Sequence, residues 1–298
     1  MASPTEERPR RTPGSITVPE IRARKRATGG EPIAMLTAYD EPGARIADAA
    51  GVDIVLVGDS VANNVLGYPD TLQVTMDDMV RHTAAVARAR PGALIVGDMP
   101  WMSYHLSTDA AVANAAMLVR AGAAAVKLEG GVVRAPVIEA IVRAEIPVMG
   151  HLGLTPQSVN AMGGYRVQAK DAAAAEALIA AAKIHEAAGC FALVLEGVPE
   201  LVAEQVTRAV AIPTIGIGAG PHCDGQVLVF HDLLGLGARP VPKFARQYAD
   251  LARVATEAVA AYVGDVRAGR FPADEESYHA GEALRRTLEA RSPAVPGS

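Results

Sequence analysis

Short apolar runs recur along the chain, each rich in β-branched residues and each stopped by an acid. Ile54-Val55-Leu56-Val57 leads into Gly58-Asp59-Ser60, and Leu94-Ile95-Val96 into Gly97-Asp98. Ala125-Val126-Lys127-Leu128 ends on Glu129, and Ala192-Leu193-Val194-Leu195 on Glu196. Runs this short, without polar alternation, predict strands covered on both faces, as in a parallel sheet. The longer stretches between them carry helical start and stop signals.

The full pattern predicts strands at Ile33–Tyr39, Ile54–Val57, Leu94–Val96, Ala124–Leu128, Pro147–Gly150, Phe191–Leu195, Pro213–Ile217 and Gln226–Phe230. Helices are expected at Asp40–Ala50, Thr75–Ala89, Thr108–Ala121, Pro136–Ala144, Asp171–Ala188, Pro199–Val210 and Lys243–Val263. Thr75 and Asp78 stand in capping-box positions, and a short basic helix, Val18–Ala27, precedes the rest. Such alternation means a closed barrel or a large doubly wound sheet. The strand count and the lack of an early Gly-rich dinucleotide turn favour the barrel. The expected fold is α/β: a (β/α)8 TIM barrel over residues 16–270 with a short N-terminal helix. Residues 1–15, rich in Pro, Arg and Glu without periodicity, are expected to form a disordered tail. Residues 271–298 are expected to be a C-terminal helical extension, partly disordered, with its end loose after Arg291.

Composition narrows the picture. Half of the 298 residues are hydrophobic but only 4% are aromatic, so a large core must be packed with Ala, Val, Leu and Ile. A net charge of −5 argues against nucleic acid or an anionic membrane as partner. No apolar run approaches the roughly 18 residues of a spanning helix. Arg10-Arg11 is followed by no apolar stretch that would make it a twin-arginine signal, so a cytoplasmic location is expected. Two cysteines, Cys190 and Cys223, fit a reducing compartment and no zinc pattern.

In a barrel of this kind, chemical groups gather from several strands at the C-terminal rim. Asp59, Asp98 and Glu129 close three consecutive strands, and three neighbouring carboxylates need a cation to stay ionised. Oxygen donors without His or Cys suit Mg²⁺. Taken singly, each acid is more often a cap or an ion-pair partner in its own loop. Lys127, two residues before Glu129, shares its face; it either neutralises the acids or binds a substrate carboxylate. A Schiff-base role is disfavoured, because nearby anions raise a lysine's pKa. Glu196 stands across the mouth, either as a general base or as a salt-bridged rim acid. His151 is structural or binds an anionic or oxo group, and Ser60 bonds substrate or caps the next turn. Gly216-Ile217-Gly218-Ala219-Gly220 follows the seventh strand, where barrels often hold phosphate, but it is no G-x-G-x-x-G.

These segments carry a resemblance. Leu36-Thr37-Ala38-Tyr39-Asp40, Val57-Gly58-Asp59-Ser60, Gly97-Asp98-Met99-Pro100 and Val126-Lys127-Leu128-Glu129-Gly130-Gly131 are similar to segments of the ketopantoate hydroxymethyltransferase family. So are Gly150-His151-Leu152-Gly153-Leu154-Thr155-Pro156-Gln157, Leu195-Glu196-Gly197-Val198-Pro199, Gly216–Gly220, Cys223–Val229 and His231-Asp232. The departures, Gly197 for a usual Cys and Met99 for a common Leu, touch none of the chemical groups. The resemblance implies Mg²⁺-dependent hydroxymethyl transfer from 5,10-methylenetetrahydrofolate to a branched 2-oxo acid, early in pantothenate synthesis. It implies metal binding by Asp59, Asp98 and Glu129, substrate binding by Asp59, Ser60, Asp98 and Lys127, and proton abstraction by Glu196. It also implies a homo-oligomer, typically a decamer.

Two other readings stay open on sequence. Barrels of the phosphoenolpyruvate mutase and isocitrate lyase kind also gather acids around Mg²⁺, but usually add a loop Cys. Cys190 stands at the wrong end for that, which leaves Cys223. A silent scaffold barrel is the third reading, and the intact acid set argues against it.

Overall fold

The computed structural model describes residues 15–237 and 240–291. The expected disorder of residues 1–15 therefore falls, Ser15 apart, outside the described residues, as does the end after Arg291. The chain divides into two compact units, one through Ala249 and one from Asp250.

The first unit begins with α1 (Val18–Arg22) and then alternates: β1 (Ile33–Thr37), α2 (Glu41–Ala49), β2 (Ile54–Val57), α3 (Val61–Asn64) and α4 (Met76–Arg88). There follow β3 (Leu94–Asp98), α5 (Thr108–Arg120), β4 (Ala125–Glu129), α6 (Ala135–Arg143), β5 (Val148–Gly153) and α7 (Val159–Met162). The unit closes with α8 (Ala172–Ala187), β6 (Ala192–Glu196), α9 (Glu200–Ala209), β7 (Thr214–Ile217), β8 (Gly225–Leu228) and α10 (Phe230–Leu234). The strands form a closed parallel barrel in sequence order, β8 returning to β1. The expected fold class is the observed one.

Alternation along each strand decides what lies inside. Ile33 and Met35, Ile54 and Leu56, Leu94 and Val96, Ala192 and Val194 share one buried cluster with Ala125, Met149, Ile215 and Val227. The alternate residues, among them Val55, Val57, Ile95, Val126, Leu128, Leu193 and Leu195, pack against the helices. Ile21 of α1 joins the inner cluster, with Phe191 just ahead of β6, and closes the N-terminal end. Beside it, buried Lys25 pairs with Asp224 at 2.9 Å and donates to the carbonyls of Thr207 and Ile212. The bottom is sealed, so chemistry is confined to the top.

Helix starts follow the sequence signals. Thr75 and Asp78 form the expected capping box on α4, and Asp40 caps α2 by accepting from Gly43 N–H. One expectation is corrected. The helix read as Lys243–Val263 is α11, Leu251–Arg267, in the second unit. Residues 243–250 are spent elsewhere: Tyr248 N–H donates to the Leu233 carbonyl at 2.8 Å, and Asp250 caps α11 at Arg253 N–H. The second unit also holds α12 (Glu282–Glu289), within the expected extension. Among the described residues no helix is long and apolar enough to cross a membrane.

Candidate active site

Continuing each strand's inward alternation by one step brings polar groups to the mouth. Val96 is followed inward by Asp98, Ala125 by Lys127 and then Glu129, Met149 by His151, and Val194 by Glu196. Strand register sets them side by side, Asp98 against Lys127 and Glu129 against His151. Asp59 joins from the turn after β2, its N–H donating to Asp98 Oδ2 at 3.3 Å. All the sequence-derived site residues therefore meet at one end of the barrel.

Ligand oxygens of Asp59, Asp98 and Glu129 lie within 4.8 Å of one another, and all three residues are buried. Burial, reinforced by Asp98 and Glu129, pushes the Asp59 carboxyl well above its ordinary range. Burial also raises Asp98, against the pull of Lys127. Carboxylates that resist ionisation in this way are a donor set short of positive charge. A hard divalent cation such as Mg²⁺, which prefers oxygen and keeps some water, fits it.

The local cations lie within the cluster. Lys127 Nζ is 2.7 Å from Asp98 Oδ1 and 3.5 Å from Glu129 Oε1. Burial would lower its pKa, but Asp98, Glu129 and Asp59 together raise it. It is a fixed ammonium, unsuited to Schiff-base chemistry, and its charge is engaged with the acids. His151 reaches Glu129 Oε1 through Nδ1 at 3.1 Å and Glu196 Oε2 through Nε2 at 3.2 Å. Burial opposes its protonation, yet the Glu129 carboxylate raises its pKa to about 9. For Glu129 the balance runs the other way: burial would raise it, and His151 with Lys127 brings it down to about 2. At neutral pH the imidazolium therefore lies as an ion-pair partner between the two carboxylates, with Nδ1–H donating to Glu129.

Glu196 differs from the other acids. Its side chain is 16% exposed against 2% for Glu129 and Asp98, so it is the most accessible of the three acids at the cavity. Ser60 makes no side-chain cap on α3; its Oγ is 2.8 Å from Tyr39 Oη. The glycines after β7 serve close packing. A Cβ on Gly218 would lie 2.9 Å from the Phe244 ring, and one on Gly220 would lie 2.5 Å from Glu200 Cβ.

Two residues escaped the sequence reading. Gln157 donates through Nε2 to Asp59 Oδ2 (2.9 Å) and the Met99 carbonyl (3.0 Å), and through its backbone N–H to Glu129 Oε2 (3.1 Å). Tyr104 Oη donates to Gln157 Oε1 at 2.5 Å and accepts from Glu129 N–H at 3.2 Å. Both are neutral groups, Tyr104 in the loop after β3 and Gln157 in a 3-10 turn after β5, with no charge to mark them. A cavity of about 900 Å³ opens above the set, lined also by Asn63, Tyr165, Val227, Asp232 and Phe244. Neither cysteine belongs to it: Cys190 precedes β6 and Cys223 precedes β8, both buried at the closed end.

Residues 15–274 match the family described as ketopantoate hydroxymethyltransferase. A relative from Methylobacterium sp. (strain 4-46), named 3-methyl-2-oxobutanoate hydroxymethyltransferase, is 55% identical over 92% of this chain and 94% of its own. One of the same name from Pyrobaculum calidifontis (strain DSM 21063 / JCM 11548 / VA1) is 55% identical over 86% and 96%. Among solved structures, a phosphonopyruvate hydrolase superposes with a TM-score of 0.58 at 14% identity, covering 93% of this chain and 99% of its own. At that identity the likeness concerns the fold alone.

Proposed function

The chain belongs to the ketopantoate hydroxymethyltransferase family, and on that premise we propose a reaction for the barrel mouth. A hydroxymethyl group passes from 5,10-methylenetetrahydrofolate to 3-methyl-2-oxobutanoate, giving 2-dehydropantoate (ketopantoate) for pantothenate and coenzyme A synthesis. By family the protein is a hydroxymethyltransferase, an enzyme of the transferase class. The observation that supports the chemistry is one bridge. His151 spans from Glu129, in the buried triad, to Glu196, the more exposed acid at the cavity.

Asp59, Asp98 and Glu129 would hold Mg²⁺. When bound, the ion would polarise the keto group of the 2-oxo acid and offset the charge that develops on its oxygen. Lys127 pairs with Asp98 and Glu129 and favours their ionised forms for that task. Ser60, turned by Tyr39, offers a hydroxyl beside Asp59 to the substrate. Glu196 removes the C3 proton, its carboxylate held beside the His151 imidazolium at 3.2 Å. Both C–N bonds of the folate methylene then break as its carbon bonds to C3 and to a hydroxyl from water; the C3 proton and the other water proton go to the two nitrogens, and tetrahydrofolate leaves.

Glu196→Gln keeps the size and a hydrogen-bonding oxygen but cannot accept the proton. We expect turnover to fall by about 10²–10⁴-fold, with the dissociation constant of the 2-oxo acid little changed. Equal weakening of binding and turnover would remove Glu196 from the role of base.

The same reading includes a cytoplasmic location and a homodecamer. Exposed apolar side chains on the helices, Ile46 and Leu201 in one unit and Val259 in the other, support burial between copies.

A further inference from the structure

The cavity's 900 Å³ lies in the range that encloses a drug-sized molecule. A short branched 2-oxo acid at the β2–β4 side fills a small part of it. The remainder is walled by residues of the opposite side: Ile217 ending β7, Val227 and Val229 on and after β8, and Phe244, held against Gly218. These are apolar faces suited to a flat ring.

One polar group on that side lacks a partner. Asp232, on α10, lines the cavity half-buried, and its carboxylate makes no hydrogen bond or ion pair among the described residues. The helix that carries it is seated on the barrel, Phe230 N–H donating to Thr37 Oγ1 at 2.9 Å. Tyr39 lies between the two halves: its hydroxyl bonds Ser60, and burial, with smaller contributions from Asp59 and Asp232, pushes its pKa up to about 12. Across the mouth, on the connection after β2, Asn63 and Thr71 each carry a buried side-chain oxygen without a hydrogen-bond partner. A partly desolvated carboxylate is stabilised most by a pair of parallel N–H donors.

We propose that this half of the cavity is the pterin subsite. The Asp232 carboxylate accepts from the 2-amino group and the neighbouring ring N–H of the folate donor, and Val227, Val229 and Phe244 pack against the ring plane. The inference rests on the folate-dependent reading above. An aminopyrimidinone edge presents two N–H groups in the fork that a carboxylate matches, while the ring faces are apolar. The one-carbon unit carried on the ring then points toward the triad and Glu196.

The test is Asp232→Asn in the full chain, which keeps the shape and replaces one acceptor with a donor. Tetrahydrofolate binding is titrated by fluorescence for both proteins with Mg²⁺ present. The KM for each substrate and the folate-free exchange of the C3 proton are measured in parallel. We expect tetrahydrofolate to bind at least tenfold more weakly (about 1.4 kcal/mol) and the KM for 5,10-methylenetetrahydrofolate to rise in step. The KM for the 2-oxo acid and the exchange rate should stay within about twofold of the parent's. Tetrahydrofolate binding equal in the two proteins overturns the proposal, as does a parent that binds none. A parent that binds tetrahydrofolate through Asp232 but exchanges no C3 proton would retain the subsite and refute the reaction assigned to the triad.

Discussion

Gln157 connects the acid set at the level of single groups. Its amide ties Asp59 to the Met99 carbonyl, its backbone N–H holds Glu129, and Tyr104 fixes its orientation. Groups that orient ligating carboxylates typically contribute 10- to 100-fold to metal affinity. Gln157→Ala is therefore expected to weaken Mg²⁺ binding by about that factor, measured by calorimetry in the absence of substrate. Parent-like affinity would show that the carboxylates hold their geometry unaided. The acids themselves were legible, because a charge ending an apolar strand has no structural reason to recur on β2, β3, β4 and β6. Gln157 was not. It lies in a loop dense in Gly, Pro and Ser, and nothing in the identity of a neutral amide says which carboxylate it will meet. Only its place in a family-like segment pointed to it.

At the scale of elements, α8 presses close to the strand that carries His151. A Cβ on Gly150 would come within 2.6 Å of His185 Nδ1 and 2.8 Å of Leu193, so only glycine admits the helix there. Buried His185 in turn reaches the Gly131 carbonyl at 3.1 Å, in the loop that follows Glu129. Burial lowers the His185 pKa, so the folded state resists protonation of the ring. The sign of the linkage follows. The unfolded chain takes up a proton below roughly pH 6.5 that the native state resists, so stability is lost as pH falls through that value. His185→Gln removes the titration and keeps a donor for Gly131. Its Tm should fall less than the parent's between about pH 7.5 and about pH 5.5; parallel declines would contradict this. Helices with caps and periodicity were readable from sequence. The misplaced α11 start was not, since residues 243–250 contain no helix breaker beyond Pro242. What keeps them out of a helix is tertiary: Tyr248 bonds Leu233, and Phe244 seats on Gly218.

For the molecule as a whole, the barrel was legible because its strands are short, apolar and evenly interleaved with helices, and a parallel closed sheet buries both strand faces. The same alternation explains the site: on β3, β4, β5 and β6 the inward residue beyond the packed layer is polar and meets a charged neighbour. Assembly was beyond this logic, because exposed Ile46, Leu201 and Val259 do not name what covers them. The proposed decamer predicts a sedimentation mass of ten chains at micromolar concentration, and a monomer there would refute it. The reaction itself is decided by exchange of the C3 proton of 3-methyl-2-oxobutanoate in D₂O, followed by NMR with and without Mg²⁺ and with tetrahydrofolate present. Exchange that requires the metal and disappears in Glu196→Gln is the expected result. Exchange that persists at the parent rate in Glu196→Gln, or none at all with the acid demonstrably bound, would contradict the assignment of the triad and its base.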